Sequence, residues 1–326
     1  VMNGMRRKYI FPCLLISACL LTAPAAAPSL AAQLGDIPVM EEFAAGLRAI
    51  AAMDPDENIR NPDTMAHQFL TPAFWFWTAL DEDYEQSKKF IKYYRVSAYY
   101  TQNACTKHID GILLGAAGNG IKQVVIIGAG LDSRAYRFQQ QLSAVRLFEV
   151  DLPAAIARKQ ELIQAAVGRL PETVAYVSAD VRNGEIGAGL KQAGYNPGHK
   201  TLFIWEGVTR YIDANAVNRT LTFISQNTAP GSELVFDYIF EDIANGDFSK
   251  MPWARFQSVR MAAYGHPWKF GIAPGKAGDF VTRRGFRMVS DLGAKELAQR
   301  YLVRSDGKLD GQPTPYFRIL HAVLKP

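Results

Sequence analysis

A chain of 326 residues, 48% apolar and 21% charged, carries enough apolar material for a large core and excludes an intrinsically disordered polymer. Its formal charge of +5 does not point to nucleic acid, because three of those charges are Arg6, Arg7 and Lys8 and no basic stripe with interleaved aromatics follows. No internal repeat, low-complexity block or metal-ligand spacing is present.

Residues 1–32 are laid out as a signal peptide. The Arg6–Lys8 cluster precedes an uncharged run, Tyr9–Ala32, rich in Leu and Ala, with small residues at Ala25–Ala27 and Ser29–Ala31 that suit a peptidase. Pro12, Pro24 and Pro28 argue against a good membrane-spanning helix. The expectation is export to the periplasm or beyond if the leader is cleaved, with no stable membrane span afterwards. An uncleaved anchor or a cytoplasmic tail is the alternative. Cys13 and Cys19 lie in this leader, so cleavage leaves Cys105 alone and excludes an internal disulfide.

Residues 33–118 read as a mostly helical N-terminal cap. Asn61-Pro62-Asp63-Thr64 looks like a turn that starts a helix. The aromatic patches Phe74–Trp77, Tyr93-Tyr94 and Tyr99-Tyr100 read first as core packing and second as the wall of an apolar pocket.

From residue 119 the chain alternates strand and helix, the pattern of a mainly parallel α/β sheet. Strands are predicted at Val124–Ile127, Arg146–Val150, Val174–Ser178, Leu202–Trp205, Leu234–Ile239, Phe286–Ser290 and Phe317–Leu324. Pro153 suits the first turn of one helix. Asp213 is a good N-cap for another, which ends before Pro230-Gly231. The segment 241–279 breaks the alternation and reads as a lid insertion.

The chemistry gathers at strand ends. The first strand runs into Gly128-Ala129-Gly130, where missing side chains let a ligand approach the main chain. Such a turn is where an open α/β sheet binds a nucleotide-like cofactor, although Ser133 stands where a dinucleotide site has its third glycine. Glu149 and Asp151 share one face of the second strand. Asp151, nearer the tip, is the candidate for both ribose hydroxyls. Asp180 and Val181 follow the third strand and suit an adenine. Glu206, among apolar residues at the fourth strand tip, needs a partner: either the ligand or a salt bridge, with Arg210 the nearest choice.

The run Gly128-Ala129-Gly130-Leu131-Asp132-Ser133-Arg134-Ala135-Tyr136-Arg137 resembles the signature of the leucine carboxyl methyltransferase family, and within it the bacterial small-molecule O-methyltransferase branch. Phe148–Pro153, Phe203–Tyr211, Phe236-Asp237-Tyr238, Gly265–Ile272 and Gly285-Phe286 with Tyr301 agree in order, so the resemblance covers roughly residues 60–324. It implies a Rossmann-like class I methyltransferase fold: seven strands, the last antiparallel, with helices on both faces. It further implies S-adenosylmethionine as cofactor, held by Gly128, Gly130, Asp151, Asp180, Val181 and Glu206, and a small-molecule methyl acceptor as partner.

One position departs from the family pattern. The family usually shows Arg-Thr with an Asp four residues after the Thr, and that Arg binds the cofactor carboxylate. Here Cys105 precedes Thr106 and Asp110. A thiol cannot supply a bidentate charged grip, which leaves Lys107 or Arg95 as substitutes. Three readings follow: an O-methyltransferase, with His266 or Tyr211 as base for a hydroxyl acceptor; a binding protein on a weakened methyltransferase fold, consistent with both leader and Cys105; and, disfavoured by Ser133, a nicotinamide dehydrogenase.

Overall fold

The structure, a computed structural model, describes residues 39–71 and 84–326. The leader and Phe74–Trp77 lie outside these residues, as do the side chains of Tyr93, Tyr94 and Arg95. In chain order the elements are α1 (Val39–Ala52), α2 (Tyr84–Gly118), β1 (Gln123–Ile127), α3 (Arg134–Arg137), β2 (Arg146–Asp151), α4 (Pro153–Val167), β3 (Val174–Ser178), α5 (Ile186–Gln192) and β4 (Thr201–Trp205). They continue as α6 (Ala214–Gln226), β5 (Glu233–Ile239), α7 (Glu241–Ala244), α8 (Ala254–Ala263), α9 (Ala277–Thr282), β6 (Phe286–Leu292), α10 (Ala294–Tyr301) and β7 (Phe317–Leu324). Single 3-10 turns occupy Ala66–Phe69 and Thr209–Tyr211.

The seven strands form one sheet in the order β3-β2-β1-β4-β5-β7-β6. Neighbours from β3 to β5 are parallel, and β7 runs antiparallel to both β5 and β6. This is the fold that the resemblance implied. Every residue of β1 is buried, and alternate side chains serve opposite layers. Val124 and Ile126 join a core with Ala45 and Ile50 of α1, Ile109 and Leu113 of α2, Ile163 of α4 and Leu297 of α10. Val125 and Ile127 join another with Ile186 of α5, Leu221 of α6 and Val281 of α9. Each such side chain contributes about 1.5–3 kcal/mol of transfer free energy, which is why a run of four β-branched residues settles at the centre of the sheet.

Residues 39–71 and 84–118 thus contribute to one layer of the same sandwich. Tyr99 and Tyr100 are core residues, as their first reading required. Asn61–Thr64 is a turn leading to a single 3-10 turn, in which Asp63 accepts from Met65 N at 3.2 Å through one oxygen and from Arg48 Nε at 2.7 Å through the other. Pro153 begins α4 and Asp213 caps α6 through the Ala216 amide at 2.8 Å.

The described chain divides into two compact units. The larger holds the sheet. The smaller includes Phe248–Trp268 and contains α8, closed by His266 N donating to Met261 O at 2.9 Å. Within the larger unit the two flanks of this excursion meet. Phe240 bridges Ile272, with Ile272 N donating to Ile239 O at 3.0 Å and Glu241 N to Ile272 O at 3.2 Å. A Cβ on Gly271 would lie 2.7 Å from Ile239 O, so only glycine allows that closure. Among the described residues no helix is long and apolar enough to cross a membrane.

Candidate functional site

Strand order 3-2-1-4 lines up the C-terminal ends of four adjacent parallel strands, the edge where open α/β sheets bind ligands. Asp180, Asp151, the glycine turn and Glu206 follow those ends in a row. The glycine turn is held from behind: the amides of Gly128 and Ala129 both donate to Val150 O, at 2.8 and 3.1 Å. Asp151 completes the grip. Its Oδ2 accepts from Gly130 N at 2.8 Å and its Oδ1 from Leu152 N at 2.7 Å. Burial nevertheless pushes this carboxyl above the usual range, and Asp180 pushes it the same way.

The glycines themselves are used differently from the expectation. Gly128 and Gly130 have φ of +68° and +36°, which side-chain-bearing residues adopt at a cost. But the space beside each is filled by this chain. A Cβ on Gly128 would lie 2.3 Å from Cγ2 of Val208, and one on Gly130 would lie 3.2 Å from Cγ and Cδ of Glu41. The bare face of Gly128 therefore serves packing against the turn after β4 and is not open to a ligand.

Glu149 is not part of the site. It is fully buried, accepts from Lys159 Nζ at 2.7 Å and from the Tyr136 hydroxyl at 2.7 Å. Asp180, beyond β3, is chelated by Arg182 through Nε at 2.9 Å and Nη2 at 2.7 Å, and this guanidinium holds its carboxyl below the usual range. Val181 is half-buried against the core on the α5 side.

Glu206 has its partner, and it is not Arg210. Oε2 accepts from Arg134 Nη1 at 2.9 Å and Oε1 from Gln102 Nε2 at 3.1 Å. Arg210 instead pairs with the buried Asp237 at 2.5 Å, whose other oxygen takes the Gly207 amide. Arg134 belongs to a ladder of buried ion pairs. It bonds Asp132 at 2.5 Å and Asp110 at 2.8 Å; Asp110 also takes Arg137 at 3.0 Å; Asp63 takes Arg48 at 2.7 Å and lies 3.4 Å from Arg137.

With this geometry in hand, similarity to known proteins is decisive at the level of family. The profile described as leucine carboxyl methyltransferase matches residues 42–225. A provisionally named S-adenosyl-L-methionine-dependent methyltransferase of Mycobacteroides abscessus is 30% identical over 267 residues, 75% of this chain and 83% of that relative. The chain belongs to the leucine carboxyl methyltransferase family. Similarly named proteins of Parafrankia sp. and Frankia alni are 38% and 36% identical, each over 133 residues. The match spans 40% and 41% of this chain but only 42% and 47% of theirs, so the chain spans under half their length. Two solved structures share the fold. A DUF574 family protein from Streptomyces avermitilis superposes with a TM-score of 0.55 at 15% identity, covering 87% of this chain and 97% of that one. A provisionally named methyltransferase from Thermobifida fusca gives 0.52 at 15% identity, covering 90% and 100%.

The leucine carboxyl methyltransferase signature gains a physical reason here. Its Asp, Asp110 on α2, fastens both arginines of the glycine motif, Arg134 and Arg137. Cys105, which precedes Thr106 on α2, is 1% exposed. Burial and the nearby Glu206 and Asp237 push its thiol well up, so it is neither a nucleophile nor a ligand. The Lys107 ammonium is engaged elsewhere, donating to Asn58 O and Tyr301 O at 2.9 and 3.2 Å. Sequence reasoning missed Arg134 as the partner of Glu206 and missed Glu41 altogether. The adjacent acids Glu41 and Glu42 in the first turn of α1 do not tell which of them reaches the glycine turn.

Proposed function

We propose that the protein is an S-adenosylmethionine-dependent O-methyltransferase acting on a carboxylate or hydroxyl of a small molecule. The observation that carries this reading is the Asp151 carboxylate, clasped to the Gly130 amide at a strand end in a chain of this family. The residues present fit the cofactor. Each Asp151 oxygen accepts one amide hydrogen bond and keeps a further lone pair for a ribose hydroxyl. Asp180 and Val181, beyond the neighbouring strand, would meet the adenine, and the main chain of the Gly128–Gly130 turn, rather than the face packed on Val208, would meet the amino-acid end. When bound, the cofactor supplies an electrophilic methyl group on a sulfonium. The work left to the chain is alignment, which can supply about 7–11 kcal/mol. A carboxylate acceptor needs no base. A hydroxyl acceptor does, and Tyr211, in the 3-10 turn after β4, is the residue to test.

Cys105 favours a second reading: a family member of weakened activity that serves as a binding protein, exported if residues 1–32 are cleaved. Calorimetric titration of leader-free protein with S-adenosylmethionine separates the two. The enzyme reading expects micromolar binding that Asp151→Asn weakens about tenfold or more, the loss of a charged hydrogen-bond acceptor. Absence of binding overturns it.

A further inference from the structure

Among the described residues, Glu41 is an acid beside the glycine turn for which the fold supplies no hydrogen bond or ion pair. It stands in the first turn of α1, against Gly130, with Cγ and Cδ 3.2 Å from where a Cβ would be. Its neighbour Glu42 is paired with Arg158 and accepts from Thr71 Oγ1 at 3.1 Å. Among the described residues no hydrogen bond or ion pair reaches the Glu41 carboxylate itself. A partly buried carboxylate without partners costs stability, and two carboxylates converging on one point cost more unless something cationic comes between them.

Resting on the cofactor reading above, we propose that Glu41 is a second cofactor-contacting carboxylate, set beside Asp151 to receive the cationic part of S-adenosylmethionine. The division of labour follows from the ligand's chemistry. Its ribose offers two hydroxyl donors, which suit Asp151. Its sulfonium and ammonium offer positive charge, which nothing on Asp151's side of the turn neutralises.

The charged groups facing Glu41 give the proposal a pH signature. Asp151 at the end of β2 and Glu42 on its own helix oppose its ionisation, while Lys159 and Arg158 of α4 favour it less strongly than burial opposes it. Its carboxyl is pushed up to about 7. A cation arriving beside it lowers that value, so binding expels a proton when the free site is protonated.

The test compares wild type, Glu41→Gln and Asp151→Asn by calorimetry against two ligands. S-adenosylmethionine carries both cationic groups, whereas 5′-methylthioadenosine keeps the ribose and adenine but is neutral. The expected result is that E41Q weakens S-adenosylmethionine about tenfold at about pH 8 and leaves 5′-methylthioadenosine within about twofold, as for loss of one charge-assisted contact. D151N weakens both ligands. Wild type releases more protons than E41Q on binding S-adenosylmethionine at about pH 6, and the difference between the two shrinks at about pH 8. Glu41→Asp, which keeps the charge on a shorter stem, falls between wild type and E41Q and guards against a folding defect. If E41Q binds S-adenosylmethionine as well as wild type, or binds both ligands more tightly because Glu41 merely blocks the site, the proposal is overturned while the D151N result keeps the cofactor reading. If D151N changes nothing, the cofactor reading falls and takes this one with it.

Discussion

The layer beneath the glycine turn and the surface in front of it treat charge in opposite ways. Beneath, Arg48, Asp63, Arg137, Asp110, Arg134 and Glu206 form a continuous chain of ion pairs, and Glu149 is matched by Lys159 and Tyr136. In front, Glu41 and Asp151 face each other with no cation within ion-pair distance of either among the described residues, and both carboxyls are pushed up. Charges under the turn are compensated within the protein and fix its shape. Charges before it are left for something else to compensate. β2 shows the contrast over two residues: Glu149 belongs to the lower set and Asp151 to the upper one.

The largest effect should come from breaking the lower set. Asp110→Ala strips a buried partner from both Arg134 and Arg137, and removal of one member of a buried pair costs about 3–5 kcal/mol. Urea unfolding should register that loss. A cost under about 1 kcal/mol, the range of exposed ion pairs, would mean that the ladder is solvated.

Next comes the turn itself. Gly128→Ala demands a positive φ and meets Val208 Cγ2, at about 1–2 kcal/mol for the backbone and about 1–3 for the crowding. Adding Val208→Ala should recover the crowding share and leave the backbone share. If the double variant recovers nothing, Val208 is not the obstacle.

The upper set predicts the reverse sign. A carboxyl whose value is raised in the folded state stabilises fully below its unfolded value, near 4.5, and loses that contribution as pH climbs through about 7. Glu41→Gln should therefore raise the stability of the ligand-free protein at about pH 8 by about 1–2 kcal/mol, after discounting for partial exposure, and by little at about pH 4. Paired thermal melts at the two pH values check this. A variant equally stabilised at both would show that its carboxylate is not strained by ionisation.

The smallest effect concerns Cys105. Buried and with its thiol pushed up, it should react with thiol reagents only after unfolding. Rapid labelling of native leader-free protein, whose one thiol is Cys105, would show that this helix opens at the site.

Most of the sheet was legible because its signal is local. Runs such as Val124–Ile127 and Phe317–Leu324 are too apolar and β-branched for a surface, and the observed strand ends fall within two residues of the predicted ones. That Asp151 lies beside the Gly128–Gly130 turn was legible for a related reason: strand, turn and strand follow one another at a spacing set by a single crossover. What failed was pairing at long range. Arg210 lies close to Glu206 in sequence, yet Glu206 bonds Arg134, 72 residues away, and Asp237 within the neighbouring strand holds Arg210. Glu41 was invisible for the same cause: only the packing of α1 over the sheet brings it to Gly130.

The closure of Phe240 on Ile272 has a consequence for how such a protein can change. Because the chain departs from β5 and returns to the same point, the intervening stretch is a cassette with a fixed socket. Lengthening it adds only about 0.6 kcal/mol of closure entropy per doubling, and no strand has to shift to admit a replacement. A lineage can therefore trade one cassette for another while inheriting the sheet intact, and an engineer can cut and splice between Glu241 and Gly271 for the same reason.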